Sequence, residues 1–175
     1  MQPMNPNTVK IVKVFFAFIL VFMAKLSFAM PDDREKVAEL SADSADLNQQ
    51  THQGEYIGKV EFDQGTSHLR AARAITEGNQ QNKLTLAIAY GDDRNQAHFW
   101  TQTAVDKPLL HAYADTIRYY PERHLVELIG NARVTQGDNS FAGPKISYDT
   151  EKQHVLSKGD HKNRTTIIIH PEKKA

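Results

Sequence analysis

No cysteine occurs in the 175 residues, which excludes disulfide staples, a cysteine-linked lipid anchor and thiolate metal sites. Net charge is missing as well: 21 basic side chains meet 21 acidic ones. A nucleic-acid binder needs a basic stripe to displace counterions, so that class is set aside. Aromatic residues make up 9% of the chain, and only Phe62, Phe99 and Phe141 among the phenylalanines lie beyond position 30. A domain built from the remainder has a thin core. Long hydrophobic runs are absent too. The longest, Val14 to Ala24, has 11 residues. As a helix rising about 1.5 Å per residue it spans about 16 Å, well short of a hydrocarbon layer of about 30 Å.

That run has the setting of a secretory signal peptide. Lys10 and Lys13 precede it, no acid lies among residues 1–29, and Ser27-Phe28-Ala29 places small residues at a cleavage site. The expectation is a leader over 1–29, cut after Ala29, a mobile lead-in over 30–37, one domain over 38–170 and a tail over 171–175. An uncleaved anchor is the alternative.

Beyond the leader, helix signals are scarce. Val126, Leu128, Gly130, Ala132 and Val134 hold alternate positions opposed by Glu127, Asn131, Arg133 and Thr135, Val60 and Phe62 alternate with polar residues, and Leu84, Leu86, Ile88 and Tyr90 repeat at the same interval. A period of two marks strands with one buried face. Turn residues fall between them, at Gln64-Gly65-Thr66, Gly78-Asn79, Gly91-Asp92-Asp93, Gln136-Gly137-Asp138-Asn139 and Lys158-Gly159-Asp160. The chain also repeats itself. Shifted by 72 positions, Ala42-Asp43 falls on Ala114-Asp115, His52 on His124, Glu55 on Glu127, Ile57-Gly58 on Ile129-Gly130 and Gln64-Gly65 on Gln136-Gly137. Two copies of one strand-turn-strand unit, each burying its face against the next, predict an all-β stack of antiparallel hairpins.

Catalytic patterns are missing. The eight histidines, at 52, 68, 98, 111, 124, 154, 161 and 170, form neither H-E-x-x-H nor His-x-His. No nucleophile elbow, phosphate loop or dinucleotide fingerprint occurs. The reading is a protein that is not an enzyme and needs neither metal nor cofactor; a hydrolase using dispersed histidines is the distant alternative.

Several segments carry a resemblance. Leu128-Ile-Gly-Asn-Ala-Arg-Val-Thr-Gln-Gly137, followed by Gly143-Pro-Lys-Ile-Ser-Tyr148, resembles the organic-solvent-tolerance (OstA-like, LptA-type) family of periplasmic lipopolysaccharide-transport proteins. Ala97-His-Phe-Trp-Thr-Gln102, Lys107-Pro108 with His111-Ala112, and Gly58-Lys-Val-Glu-Phe-Asp-Gln-Gly65 match it in order. The long polar stretch from Gly78 to Lys83 departs from the pattern and puts the local register in doubt. The resemblance implies a β-jellyroll, two antiparallel sheets opened into a V. It also implies a soluble periplasmic carrier that holds lipopolysaccharide by its lipid A acyl chains and passes it from the inner to the outer membrane. The energy would come from an inner-membrane ATPase complex. Implied partners are an inner-membrane-anchored component and the outer-membrane translocon; nucleic acid is not among them. A β-adaptor that holds no lipid, or a membrane-anchored component of the same pathway, is the alternative.

On that fold Phe99 and Tyr119 are the first candidates for lining an acyl cleft. Val60, Phe62, Leu84, Leu86, Ile88, Ile117, Val126, Leu128, Val134 and Ile146 follow. At the chain's end Ile167, Ile168 and Ile169 carry no charge to protect a strand edge, and Ala38 to Leu47 offers another open strand. Pairing the last strand of one copy with the first of the next predicts head-to-tail oligomers.

Overall fold

Among the described residues the period-two alternation resolves into twelve strands. The computed structural model describes Asp33 and residues 36–152, 154–159 and 164–171; the expected leader, most of the lead-in and residues 172–175 of the tail lie outside the described residues. In chain order the strands are β1 (Ala38–Ser41), β2 (Ser44–Asn48), β3 (Gln53–Gln64), β4 (Ser67–Gly78), β5 (Leu84–Tyr90) and β6 (Ala97–Thr101). They continue as β7 (Leu110–Ala114), β8 (Thr116–Tyr120), β9 (Leu125–Gln136), β10 (Asn139–Asp149), β11 (His154–Ser157) and β12 (Thr166–Ile168). Every pairing is antiparallel. Four long strands, β3, β4, β9 and β10, run through both layers. At one end they pair with β1, β6, β7 and β12, and at the other with β2, β5, β8 and β11.

The 72-residue repeat is present in the backbone. β3 and β9 pass from one layer to the other through a bulge, Gly58-Lys59 and Gly130-Asn131, where all four residues have positive φ (81°, 46°, 78° and 45°). The Asp43 amide donates to the Gly58 carbonyl at 2.8 Å, and the Asp115 amide to the Gly130 carbonyl at 3.0 Å. Each aspartate side chain fills the space that a Cβ on its glycine would need. The corner at Asp43 also divides the expected strand from Ala38 to Leu47 into β1 and β2. Opposite the bulge the inward face slips by one residue: Leu69 and Ala71 pack on the core, and the next buried residue of β4 is Ala74.

The polar stretch after Gly78 closes on itself, with the Asn79 carboxamide accepting from the Gln81 and Lys83 amides at 3.0 Å each. Before β1, the nearly buried Asp33 accepts from the Thr66 amide at 3.0 Å. The Gln64 side chain donates to the Lys36 carbonyl at 3.1 Å, as Gln136 donates to the Pro108 carbonyl at 3.0 Å one repeat later.

Candidate lipid-binding face and the two ends of the stack

One inward row crosses the whole first layer. Its register runs Leu40, Phe62, Leu69, Phe99, Ala112, Val134, Phe141 and Ile167. All eight are apolar. In the second layer the corresponding row is Ala45, Tyr56, Ala74, Ala89, Ile117, Leu128, Ile146 and Ser157. Nearer the rim lie Leu47, Gly54, Thr76, Ala87, Tyr119, Val126, Tyr148 and Val155.

These rows bring most of the expected lining residues onto one face. Ile117, Leu128 and Ile146 are buried in a single cluster, with Phe99, Val126 and Val134 packed against it. Val60 is fully buried and Phe62 stands in the row of Phe99. Tyr119 lies at the rim, 36% exposed. Two expectations are corrected. Ala89 joins the core cluster and Ala87 stands in the rim row, so Leu86 and Ile88 alternate onto the opposite face. There Ile88 shares a row with Ile75, Arg118 and Glu127. The register shift between Leu86 and Leu84 brings Leu84 opposite Gly78, back to the side of the rim row. Alanines at 89, 97, 112 and 114, with Leu110, are the core residues that the sequence reading passed over. Around 97, 112 and 114, alternation with polar residues is the signal that marked them. Beyond the rim, an open depression of about 240 Å³ is lined by Leu47, Gly54, Thr76 and Leu84, with His52 and Asn82 beside them.

The stack ends in unpaired edges. Among the described residues β1 and β2 each pair only with β3, and β11 and β12 only with β10. Apolar side chains of the inward rows emerge there: Leu40 is 37% exposed, Leu47 63%, Val155 45% and Ile167 60%. Ile168 and Ile169 are exposed at the same end. At the junction between the repeats, equivalent positions are covered, because β6 pairs with β7 and β5 with β8. Among the described residues no three histidine, aspartate or glutamate side chains gather as a metal site, and no helix is long and apolar enough to cross a membrane.

This architecture has known counterparts. Residues 39–154 match the family model described as LptA/(LptD N-terminal domain) LPS transport protein. The chain belongs to this family. It is 29% identical over 170 residues to the lipopolysaccharide export system protein LptH of Pseudomonas aeruginosa, covering 93% of this chain and 95% of that one. With LptA of Escherichia coli K12 it shares 26% identity over 147 residues, covering 83% and 77% respectively. The crystal structure of LptH, described as the LptA-homologous periplasmic component of a lipopolysaccharide transport device, superposes with a TM-score of 0.71 at 30% identity. That superposition covers 81% of this chain and 100% of LptH. The fold is therefore the family's all-β jellyroll, and the chain stands among lipopolysaccharide-transport proteins, not enzymes.

Proposed function

We propose that the chain is a periplasmic carrier and bridge that holds lipopolysaccharide by its lipid A acyl chains along the inward rows and hands it toward the outer membrane. The observation that carries this reading is the unbroken apolar row from Leu40 to Ile167, which reaches both open ends of the stack. A solid globular core has no need to run out to two unpaired edges. Each buried methylene contributes roughly 0.8 kcal/mol, so a chain of about a dozen carbons gains on the order of 10 kcal/mol before ordering costs. Phe99 and Tyr119, with Val60, Phe62, Ile117, Val126, Leu128, Val134 and Ile146, are the lining residues of this reading.

The internal junction supplies a template for a row of copies. β12 lies beside β10 as β6 lies beside β4, and β1 lies beside β3 as β7 lies beside β9. Phe99 meets Ala112 between the repeats. By the same register Ile167 of one copy meets Leu40 of the next, and Val155 meets Leu47. The same edges suit the inner-membrane-anchored and outer-membrane partners that share the fold. Mass spectrometry of the protein purified from its own periplasm under gentle extraction tests the carrier function. Stoichiometric glycolipid is the expected result; protein free of glycolipid would support the lipid-free adaptor instead.

A further inference from the structure

The face opposite Phe99 carries a run of planar groups that acyl-chain transport leaves unused. Register aligns Arg70, His98, Tyr113 and Arg133 in one row, and His68, Trp100, His111 and Thr135 in the next. The rings stack nearly parallel: His68 on Trp100 at 5.0 Å, Trp100 on His98 at 4.6 Å, and His98 on Tyr113 at 4.1 Å. Arg133 closes one end, 4.7 Å over Tyr113, and Arg70 the other, 5.3 Å over Trp100. Rings spaced like the strands that bear them cover one another's faces and turn their edges outward. Those edges are rich in donors: an indole N–H, imidazole nitrogens, a phenol and two guanidinium forks.

The two arginines differ. Arg70 is paired with Asp63 at 3.1 Å and Glu61 at 3.5 Å. Arg133 is exposed, and among the described residues its ring contact with Tyr113 is not accompanied by an ion pair. Beyond it the tall side chains stop. β10 places Ala142 beside Arg133 and Ser140 beside Thr135, a floor of small and hydroxyl groups next to a wall of rings. Arg133 is the cation of this face without a carboxylate partner among the described residues, whereas Arg70 is matched by Asp63 and Glu61. Burial, then the charges of His111, Arg133 and Arg70, push the His98 imidazole down to about 4. The same positive charges, and the 3.0 Å hydrogen bond between His98 and His111, disfavour a metal ion at that pair.

We propose that Arg133, with Thr135, Ser140 and the edge of Tyr113, binds a phosphate group on the saccharide part of lipopolysaccharide, outside the layers that take the acyl chains. The proposal rests on the carrier reading above. A phosphate monoester offers two oxygens to the Arg133 fork and a third to the hydroxyls of the floor. Sugar bound here would be held on the outer surface while the chains lie within.

Trp100 is the chain's single tryptophan, so fluorescence excited selectively at the indole reports on this face alone. The probe is lipopolysaccharide stripped of its acyl chains, titrated with and without its phosphates into the exported protein. The phosphorylated glycan is expected to give a saturable fluorescence change, and the dephosphorylated one none. Arg133→Ala should weaken binding by about tenfold or more, and Arg133→Lys by less, because a point charge survives without the fork. No saturation, equal binding of both glycans, or an unchanged Arg133→Ala titration overturns the proposal. Because the probe has no acyl chains, saturable glycan binding by a protein that never carries glycolipid would overturn the carrier reading and leave the phosphate site standing.

Discussion

Gly130 shows how much of this fold rests on single backbone positions. Its φ of 78° lies in the left-handed region, and a Cβ there would collide with the Asp115 side chain whose own amide donates to the Gly130 carbonyl. Gly58 repeats the arrangement with Asp43. Gly130→Ala is therefore expected to lower stability by about 1–3 kcal/mol, read as a loss of several degrees in Tm. Gly78→Ala is the control. Its φ is not positive and the nearest atom to an added Cβ, the Lys83 carbonyl oxygen, lies at 3.4 Å, so its effect should stay within about 0.5 kcal/mol. Equal melting of the two variants would show that the bulge does not depend on glycine.

At the scale of strands, the sequence was legible where one feature repeats. The shared Ala-Asp, Ile-Gly and Gln-Gly pairs marked the two corners, the two bulges and the two hairpins of the structure, because each needs a residue type that few others can replace. Face assignment was legible on β9, where Val126, Leu128, Ala132 and Val134 all turn inward. It failed on β5, because Leu86 and Ile88 are larger than the alanines beside them and size alone suggested the interior. What fixes the face is the pairing register with β4 and β8, which no single strand reveals. The acyl lining, the leader and the oligomer edge remained readings of chemistry and resemblance.

Strand β12 carries its own prediction. Its three residues are exposed and pair only with Ser140, Phe141 and Ala142, so removing 164–175 takes little from the core. The truncated protein should stay folded and bind lipid, yet remain a monomer in light scattering at concentrations where the full chain assembles. With no native cysteine, register is testable directly: Leu40→Cys mixed with Ile167→Cys should oxidise to linked dimers, and Glu39→Cys with Ile167→Cys should not. Unchanged assembly after truncation, loss of the β circular-dichroism signal, or equal crosslinking of the two pairs would refute the edge account.

Taken as one molecule, the chain is two copies of one unit whose junction is closed and whose ends are open. The inward rows pass through that junction without a break, so a guest lying along them would not meet a polar wall between the repeats. Charged and hydrogen-bonding groups, by contrast, collect on the outer faces: Arg73 with Glu55, Lys145 with Glu127, and the ring stack around Trp100. An amphiphile with several chains and a bulky sugar matches that division, with chains between the layers and sugar outside. The central claim is that acyl chains occupy the inward face. Photo-crosslinking residues placed singly at Phe99, Ile117 and Ile88 in cells making lipopolysaccharide test it most directly. Strong labelling at 99 and 117 with little at 88 is the result this account predicts. Equal labelling at all three, or labelling at 88 alone, would contradict it.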